Sequence, residues 1–190
     1  MALNVPTALT WLRILLIPVF VGVYYLPDAW LEPAGKNWLA MSIFAVAAVT
    51  DWLDGWLARR LGLTSAFGAF LDPVADKLMV AAALILLVAL GRANADLAII
   101  MIGREIAISA LREWMAELGQ GKSVAVAFVG KLKTAAQMTA IIALLLYEPL
   151  IPGVSTPLLG TAALWVAVIL TLWSMFHYLR LAAPHFRSDR

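Results

Sequence analysis

Six apolar stretches of about 20 residues each, separated by segments rich in Pro and Gly, constrain this 190-residue chain most strongly. About 20 consecutive apolar residues are needed for an α-helix to cross a lipid bilayer. The stretches are 5–26, 37–58, 73–91, 96–117, 124–147 and 157–180. This pattern predicts an all-α, polytopic membrane protein with six transmembrane helices, folded as a single integral-membrane domain over residues 1–190.

The composition supports that class and excludes others. The chain is 63% hydrophobic and only 14% charged, which argues against a soluble globular domain and against a disordered chain. It has no cysteine, so disulfide frameworks, thiol nucleophiles and cysteine metal sites are excluded. The net charge of +2 does not require a nucleic-acid partner, because the basic residues can serve as membrane orientation signals.

The distribution of Lys and Arg predicts the orientation in the membrane. With a cytoplasmic amino terminus, 12 of the 14 basic residues lie in or near cytoplasmic segments, and Lys36 and Arg92 lie on the other side. Without Arg104, Lys131 and Lys133, which lie inside predicted spans, the ratio is still 9 to 2. Because cytoplasmic loops of membrane proteins are enriched in Lys and Arg, we predict that both termini are cytoplasmic.

Four aspartates interrupt the apolar pattern around the second and third stretches. Asp51 and Asp54 lie on one face of the predicted second helix. Asp72 and Asp76 share a face at the start of the third, with Pro73 expected at its first helical position. A short connection makes the two helices antiparallel neighbours, so all four carboxylates are expected to converge at one depth.

Four carboxylates in a poorly hydrated site cannot all stay ionised without compensation. The open alternatives are protonation, pairing with Arg or Lys, and binding of divalent metal. Oxygen-only ligation favours hard ions such as Mg²⁺ or Mn²⁺. Gly55, Ala58 and Gly68 leave room for a bulky ligand nearby. Taken singly, Asp72 could be a helix N-cap and the glycines could serve close helix packing.

Together these residues resemble the complete signature of the CDP-alcohol phosphotransferase family. The matching positions are Asp51, Asp54, Gly55, Ala58, Arg59, Gly68, Asp72 and Asp76. Further segments, including 104–106, 109–115 and 130–134, are similar to the members that use glycerol 3-phosphate. The resemblance implies transfer of the phosphatidyl group of CDP-diacylglycerol to sn-glycerol 3-phosphate, giving phosphatidylglycerol phosphate and CMP. It also implies a homodimer in the bacterial inner (plasma) membrane, with the active site facing the cytoplasm.

The resemblance implies roles for individual residues as well. Two Mg²⁺ or Mn²⁺ ions are expected on the four aspartates, and Asp76 matches the proposed catalytic general base. The residues expected to line the CDP-lipid site are Gly55, Ala58, Arg59 and Gly68. From the first helix, Asn4, Thr10 and Arg13 are expected to close the nucleotide pocket. For Arg13, contact with lipid headgroups by snorkelling is an equal alternative.

An acceptor that carries its own phosphate requires a second cationic pocket. Arg104 and Arg112 are eight residues apart on one predicted helix and share a face, and Lys131 and Lys133 enter the next helix from the same side. We expect these four side chains to bind the acceptor phosphate. The alternative interpretation pairs Arg104 with Glu105 or another nearby glutamate.

Other functions remain open at this stage. Another member of the same family could use serine, inositol phosphate or phosphatidylglycerol as acceptor, although serine has no phosphate to engage the cationic residues. A cation carrier using buried aspartates would bind ions and release no CMP. A polyprenyl-diphosphate transferase also uses aspartates and Mg²⁺ but would ignore a CDP-lipid.

Overall fold

The computed structural model describes residues 5–61, 66–117, 127–149 and 153–183, and over these ranges the chain is helical without strands. The six α-helices are α1 Val5–Gly22, α2 Pro33–Leu61, α3 Ala66–Ala89, α4 Ala95–Glu117, α5 Ala127–Leu146 and α6 Thr156–Ala182. A short 3₁₀ helix, Val23–Tyr25, directly follows α1. The predicted all-α class is therefore confirmed for the described ranges.

The helix starts differ from the apolar stretches at two places. α2 begins at Pro33, ahead of the predicted position 37, and α3 begins at Ala66, ahead of the predicted position 73. Pro73 consequently lies inside α3 and not at its first helical position, and Asp72 is not an N-cap. At α3 the difference arises because Asp72-Pro73 has the pattern of a helix start, whereas the mostly apolar residues 66–71 continue the helix ahead of it. At α2 it arises because Pro33 itself occupies the first helical position, ahead of the apolar run.

The first helix has a central place in the packing. α1 packs along both α2 and α3, whereas the direct contact between α2 and α3 is small. α5 packs extensively on α6, and α4 contacts α3 and α6. α2 and α3 were expected to be direct neighbours. In the structure they are held near each other mainly by α1, which packs against both.

The apolar core occupies one end of the helix bundle. It combines residues from the late parts of α1, α3 and α5 with residues from the early and middle parts of α2, α4 and α6. The rings of Phe20 and Phe44 pack at 6.3 Å with a 45° tilt. At Gly160 a Cβ atom would lie 2.8 Å from the side chain of Leu144, so glycine allows α6 to approach α5 closely. Because successive helices alternate in direction, their remaining halves form the opposite end of the bundle.

Arg92 joins several elements at the core end. Its guanidinium donates to the carbonyl oxygens of Leu144 and Leu145 at 3.2 and 2.9 Å, and to Asn37 Oδ1 at 2.8 Å. It also lies 4.4 Å from the ring centroid of Tyr147, a residue with a left-handed φ of 61° just after α5. These contacts satisfy carbonyl groups that the end of α5 leaves without helical partners.

Two helical segments in the described ranges are long and apolar enough to cross a membrane, Ala8–Tyr25 and Thr156–Arg180. The other four helices each contain two or more charged residues. Large apolar side chains are nevertheless exposed on several helices, including Ile85, Ile99 and Trp173.

Candidate active site

Two residues of α1 contact two of the predicted metal-binding aspartates. Arg13 is 1% exposed, and its guanidinium lies 2.8 Å from Asp51 Oδ1 on α2, whose side chain is 40% exposed. One turn earlier on α1, the buried hydroxyl of Thr10 donates a hydrogen bond to Asp72 on α3. Arg13 is therefore enclosed by protein, an arrangement that differs from the snorkelling alternative.

Asp76 lies one turn after Asp72 on α3 and belongs to the same cluster. It lines a small cavity together with Arg13, Phe44 and Met138. The negative charge of Asp72 acts on Asp51, that of Asp51 acts on Asp76, and the positive charge of Arg13 acts on both Asp51 and Asp76. The structure thus brings Asp51 and Asp76 to one buried guanidinium, with Asp72 one turn before Asp76.

The predicted metal site can be compared with this cluster only in part. The side chain of Asp54 lies outside the described residues, and among the described side chains no three acidic or His groups form a metal site. The donor chemistry fits a divalent cation, because neighbouring carboxylates supply oxygen ligands whose like charges require compensation. The metal ligands therefore remain a prediction.

The predicted CDP-lipid residues are only partly described. Gly68 is buried in α3, where it precedes Asp72 by one turn. Gly55, Ala58 and Arg59 lie on α2, but their side chains are outside the described residues, as is all of Asn4. The contact of these residues with a nucleotide stays a prediction.

A cavity of about 550 Å³ lies beside the carboxylate cluster, between α4, α5 and α6. Four cationic side chains line it, namely Arg104, Arg112, Lys131 and Lys133. Arg104 and Lys133 are buried, whereas Arg112 and Lys131 are exposed. The structure thus brings together all four residues that were expected to bind the acceptor phosphate. We call this space the basic cavity.

Arg104 is held by neighbours on two helices. Its NH2 group donates to Ser174 Oγ at 2.6 Å, and Ser174 in turn donates to the carbonyl of Thr171 at 2.9 Å. Its NH1 group donates to Glu105 Oε2 at 3.2 Å. The buried Nε group of Arg104 has no hydrogen-bond partner among the described residues. The guanidinium is therefore fixed in direction by Ser174 and Glu105.

Glu105, which was not among the predicted site residues, lies between two of the cations. The same oxygen, Oε2, accepts from Lys133 Nζ at 2.8 Å and from Arg104. The pairing of Arg104 with Glu105 that the sequence left open is thus present, and it coexists with the basic cavity. The charges of Glu105 and Lys133 also act on Asp76, which connects this cavity to the carboxylate cluster.

Two residues of α6 complete the walls of the basic cavity and were also missed. Tyr178 is buried, and the guanidinium carbon of Arg112 lies 5.1 Å from its ring centroid, a cation–π distance. Ser174 lies one turn earlier and anchors Arg104. Thr171, Ser174 and Tyr178 recur at spacings of three and four residues, which is a weak sequence signal for a polar face on this largely apolar helix.

Comparison with known proteins supports the relationship that the signature predicted. The pattern of the CDP-alcohol phosphatidyltransferase family matches residues 3–173, which is most of the chain. This chain belongs to the CDP-alcohol phosphatidyltransferase family.

Its relatives within the family include proteins named CDP-diacylglycerol–glycerol-3-phosphate 3-phosphatidyltransferase. One from Pectobacterium atrosepticum is 52% identical over 194 residues, covering 97% of both chains. Those from Escherichia coli K12 and Shigella flexneri serotype 5b are each 51% identical over 190 residues, covering 96% of both chains. As a CDP-alcohol phosphatidyltransferase, the chain carries its signature aspartates and its basic cavity at the same end of the bundle.

Proposed function

We propose that this chain transfers the phosphatidyl group of CDP-diacylglycerol to sn-glycerol 3-phosphate, giving phosphatidylglycerol phosphate and CMP. The names of relatives that match along nearly the whole chain support this acceptor. The single observation that carries the proposal is the basic cavity, because it adjoins the signature carboxylates and collects four cations around a space of about 550 Å³. Serine would bring no phosphate to a cavity in which four cations face a single carboxylate, that of Glu105.

The chemistry of the basic cavity suits a phosphate group. Arg104 and Lys133 are buried and line the cavity, so their charges are weakly screened by water. Arg112 and Lys131 are more exposed and can meet the phosphate first. The acceptor hydroxyl would then extend from this cavity toward Asp76 on α3, which we propose accepts its proton.

The carboxylate cluster has the complementary task of binding the donor. We propose that Asp51, Asp54, Asp72 and Asp76 hold Mg²⁺ or Mn²⁺, with two ions as in the family pattern. When bound, the metal supplies positive charge against the diphosphate and the departing CMP. Arg13 contributes a fixed cation to the same cluster. We further propose that Gly55, Ala58, Arg59 and Gly68 line the CDP-lipid site, with Asn4 and Thr10 closing it.

We propose that all six helices cross the bacterial inner membrane, with both termini and the site on the cytoplasmic side. The exposed apolar side chains on several helices support a lipid-facing surface, which water would disfavour. The charged residues that shorten the apolar runs belong mostly to the two clusters facing the bundle interior, the arrangement expected of intramembrane ionisable groups. A homodimer remains part of the proposal on the ground of family resemblance alone.

The direct test of the acceptor is release of CMP from CDP-diacylglycerol by the purified chain, with each acceptor supplied alone. We expect release with glycerol 3-phosphate and none above background with serine, inositol phosphate or phosphatidylglycerol. Preferential use of one of these three would refute the proposed acceptor. Ion binding without CMP release under any condition would favour the cation carrier.

The role of Asp76 is tested by Asp76→Asn, which keeps the size of the side chain and removes its capacity to accept a proton. We expect turnover to fall by at least about 100-fold, the contribution typical of a positioned general base, while CDP-lipid binding is retained. Asp96→Asn, at an exposed position in the first turn of α4, is the matched control and should leave turnover within twofold. Undiminished turnover of Asp76→Asn would refute the assignment.

A further inference from the structure

The contacts of Glu105 suggest a specific task in acceptor selection, an inference that rests on the proposed function. Glu105 Oε2 occupies donors of both Lys133 and Arg104, at 2.8 and 3.2 Å. Lys133 and Arg104 are also the two buried cations of the basic cavity. A carboxylate therefore already sits where an acceptor phosphate would need to bind.

The Glu105 side chain also has space on its other side into which it can rotate. Its side chain is 30% exposed, in contrast to 3% for Arg104 and 9% for Lys133. It lines both the basic cavity and a neighbouring, mostly apolar cavity of about 180 Å³ between α3 and α4. Lys77 lines that second cavity too, so the displaced carboxylate has space and a cation to approach.

We propose that Glu105 is a displaceable counter-ion that reserves the basic cavity for acceptors carrying a phosphate. Before binding, it compensates the charges of Lys133 and Arg104 and keeps them adjacent. A phosphate offers more oxygen acceptors and more negative charge than the carboxylate, so it takes over these donors and Glu105 turns toward Lys77. A hydroxyl, or the single carboxylate of an amino acid, offers fewer oxygen acceptors and less charge than a phosphate, so it displaces Glu105 less readily.

The test uses inorganic phosphate as a probe of the cavity and Glu105→Gln as the variant. The amide keeps the shape and one oxygen acceptor but removes the competing charge. CMP release from CDP-diacylglycerol is measured against glycerol 3-phosphate concentration, with inorganic phosphate as competitor. We expect the inhibition constant of phosphate and the KM for glycerol 3-phosphate to fall by about tenfold. The neutral amide competes less strongly than the carboxylate for the donors of Lys133 and Arg104, and one charge-assisted hydrogen bond is worth about this much. We expect kcat not to rise.

Glu113→Gln is the matched control, because Glu113 is an exposed glutamate on the same helix and lies outside the basic cavity. It should leave both constants within twofold of those of the unmodified chain. Glu105→Asp is a second variant that retains the charge but withdraws it by one methylene from Lys133. It should also lower the inhibition constant of phosphate, but by less than Glu105→Gln does.

The outcomes separate this inference from the proposed function. If the unmodified chain releases no CMP with glycerol 3-phosphate, the proposed function fails. If it is active but the inhibition constant is unchanged or raised in the Glu105 variants, only the inference fails, and Glu105 is then a fixed structural partner of the two cations.

Discussion

Removal of the Arg13 charge is the sharpest test of the carboxylate cluster. Arg13→Gln would leave Asp51 without its ion-pair partner at 2.8 Å and expose Asp76 to uncompensated repulsion from Asp51. Breaking a fully buried pair costs about 3–5 kcal/mol, whereas exposed pairs are worth about 0–1 kcal/mol. Because Arg13 is 1% exposed and Asp51 is 40% exposed, the pair lies between these limits. We therefore expect a loss of about 1–3 kcal/mol, or roughly 3–9 °C in thermal midpoint for a chain of this size.

The same substitution predicts a changed response to Mg²⁺. If the aspartates hold a divalent ion as proposed, Arg13 competes with it for Asp51 in the unmodified chain, and the variant removes that competition. If the ion binds tenfold more tightly to the variant, saturating Mg²⁺ restores about 1.4 kcal/mol of the lost stability. The assay is thermal unfolding of the purified protein in detergent, with excess chelator and then with increasing MgCl₂.

Lys36→Gln supplies the control for this experiment. Lys36 is also buried and paired, with Asp28 at 2.6 Å, but it lies at the core end of the bundle. The control should lose stability without any change in its response to Mg²⁺. If Arg13→Gln and Lys36→Gln respond equally to the ion, Arg13 does not compete with it for Asp51.

Three further predictions concern packing, the core end and the basic cavity. Gly160→Ala should be less stable than Gly103→Ala by about 1–3 kcal/mol in thermal unfolding. A Cβ at position 160 would lie 2.8 Å from a buried leucine, whereas nothing lies within 4 Å of a Cβ at position 103. Arg92→Met should cost about 2–4 kcal/mol of stability through its lost carbonyl contacts, and the KM for glycerol 3-phosphate should be unchanged in steady-state assays. Ser174→Ala should raise that KM by about tenfold by releasing Arg104, and Ser174→Thr should restore it; equal KM values for the two variants would contradict this role.

The sequence predicts the helical class well because few other folds accommodate long apolar runs separated by Pro and Gly. It predicts helix starts less well, as α3 shows. Residues 66–72 are helical although the predicted helix begins at Pro73, because the start signal of Asp72-Pro73 is overridden by the mostly apolar residues before it, which also pack as helix. The close packing of α1 against both α2 and α3 also escapes the sequence, since hydropathy does not indicate which helices are neighbours.

For the site, the sequence identifies side chains whose charge is conspicuous in an apolar helix. Arg104 and Lys133 are of this kind, and the structure brings them together. The partners that orient them are harder to find. Glu105 is a glutamate beside an arginine, and Ser174 is a small polar residue in an apolar helix, so neither is unusual before its contacts are seen. Only the three-dimensional arrangement distinguishes a hydroxyl that anchors a guanidinium from one that bonds to its own helix.

The adjacency of the two charged clusters bears on how the proposed enzyme would keep its two anionic substrates apart. The basic cavity would attract the donor diphosphate as readily as the acceptor phosphate if charge alone decided the outcome. The border between the clusters, however, carries Asp76 and Glu105, whose negative charges act on each other. An anion without accompanying metal would be repelled at that border, whereas a diphosphate that shared divalent ions with the aspartates, as proposed, would be held on their side. The proposed separation of donor and acceptor therefore depends on acidic groups as much as on basic ones.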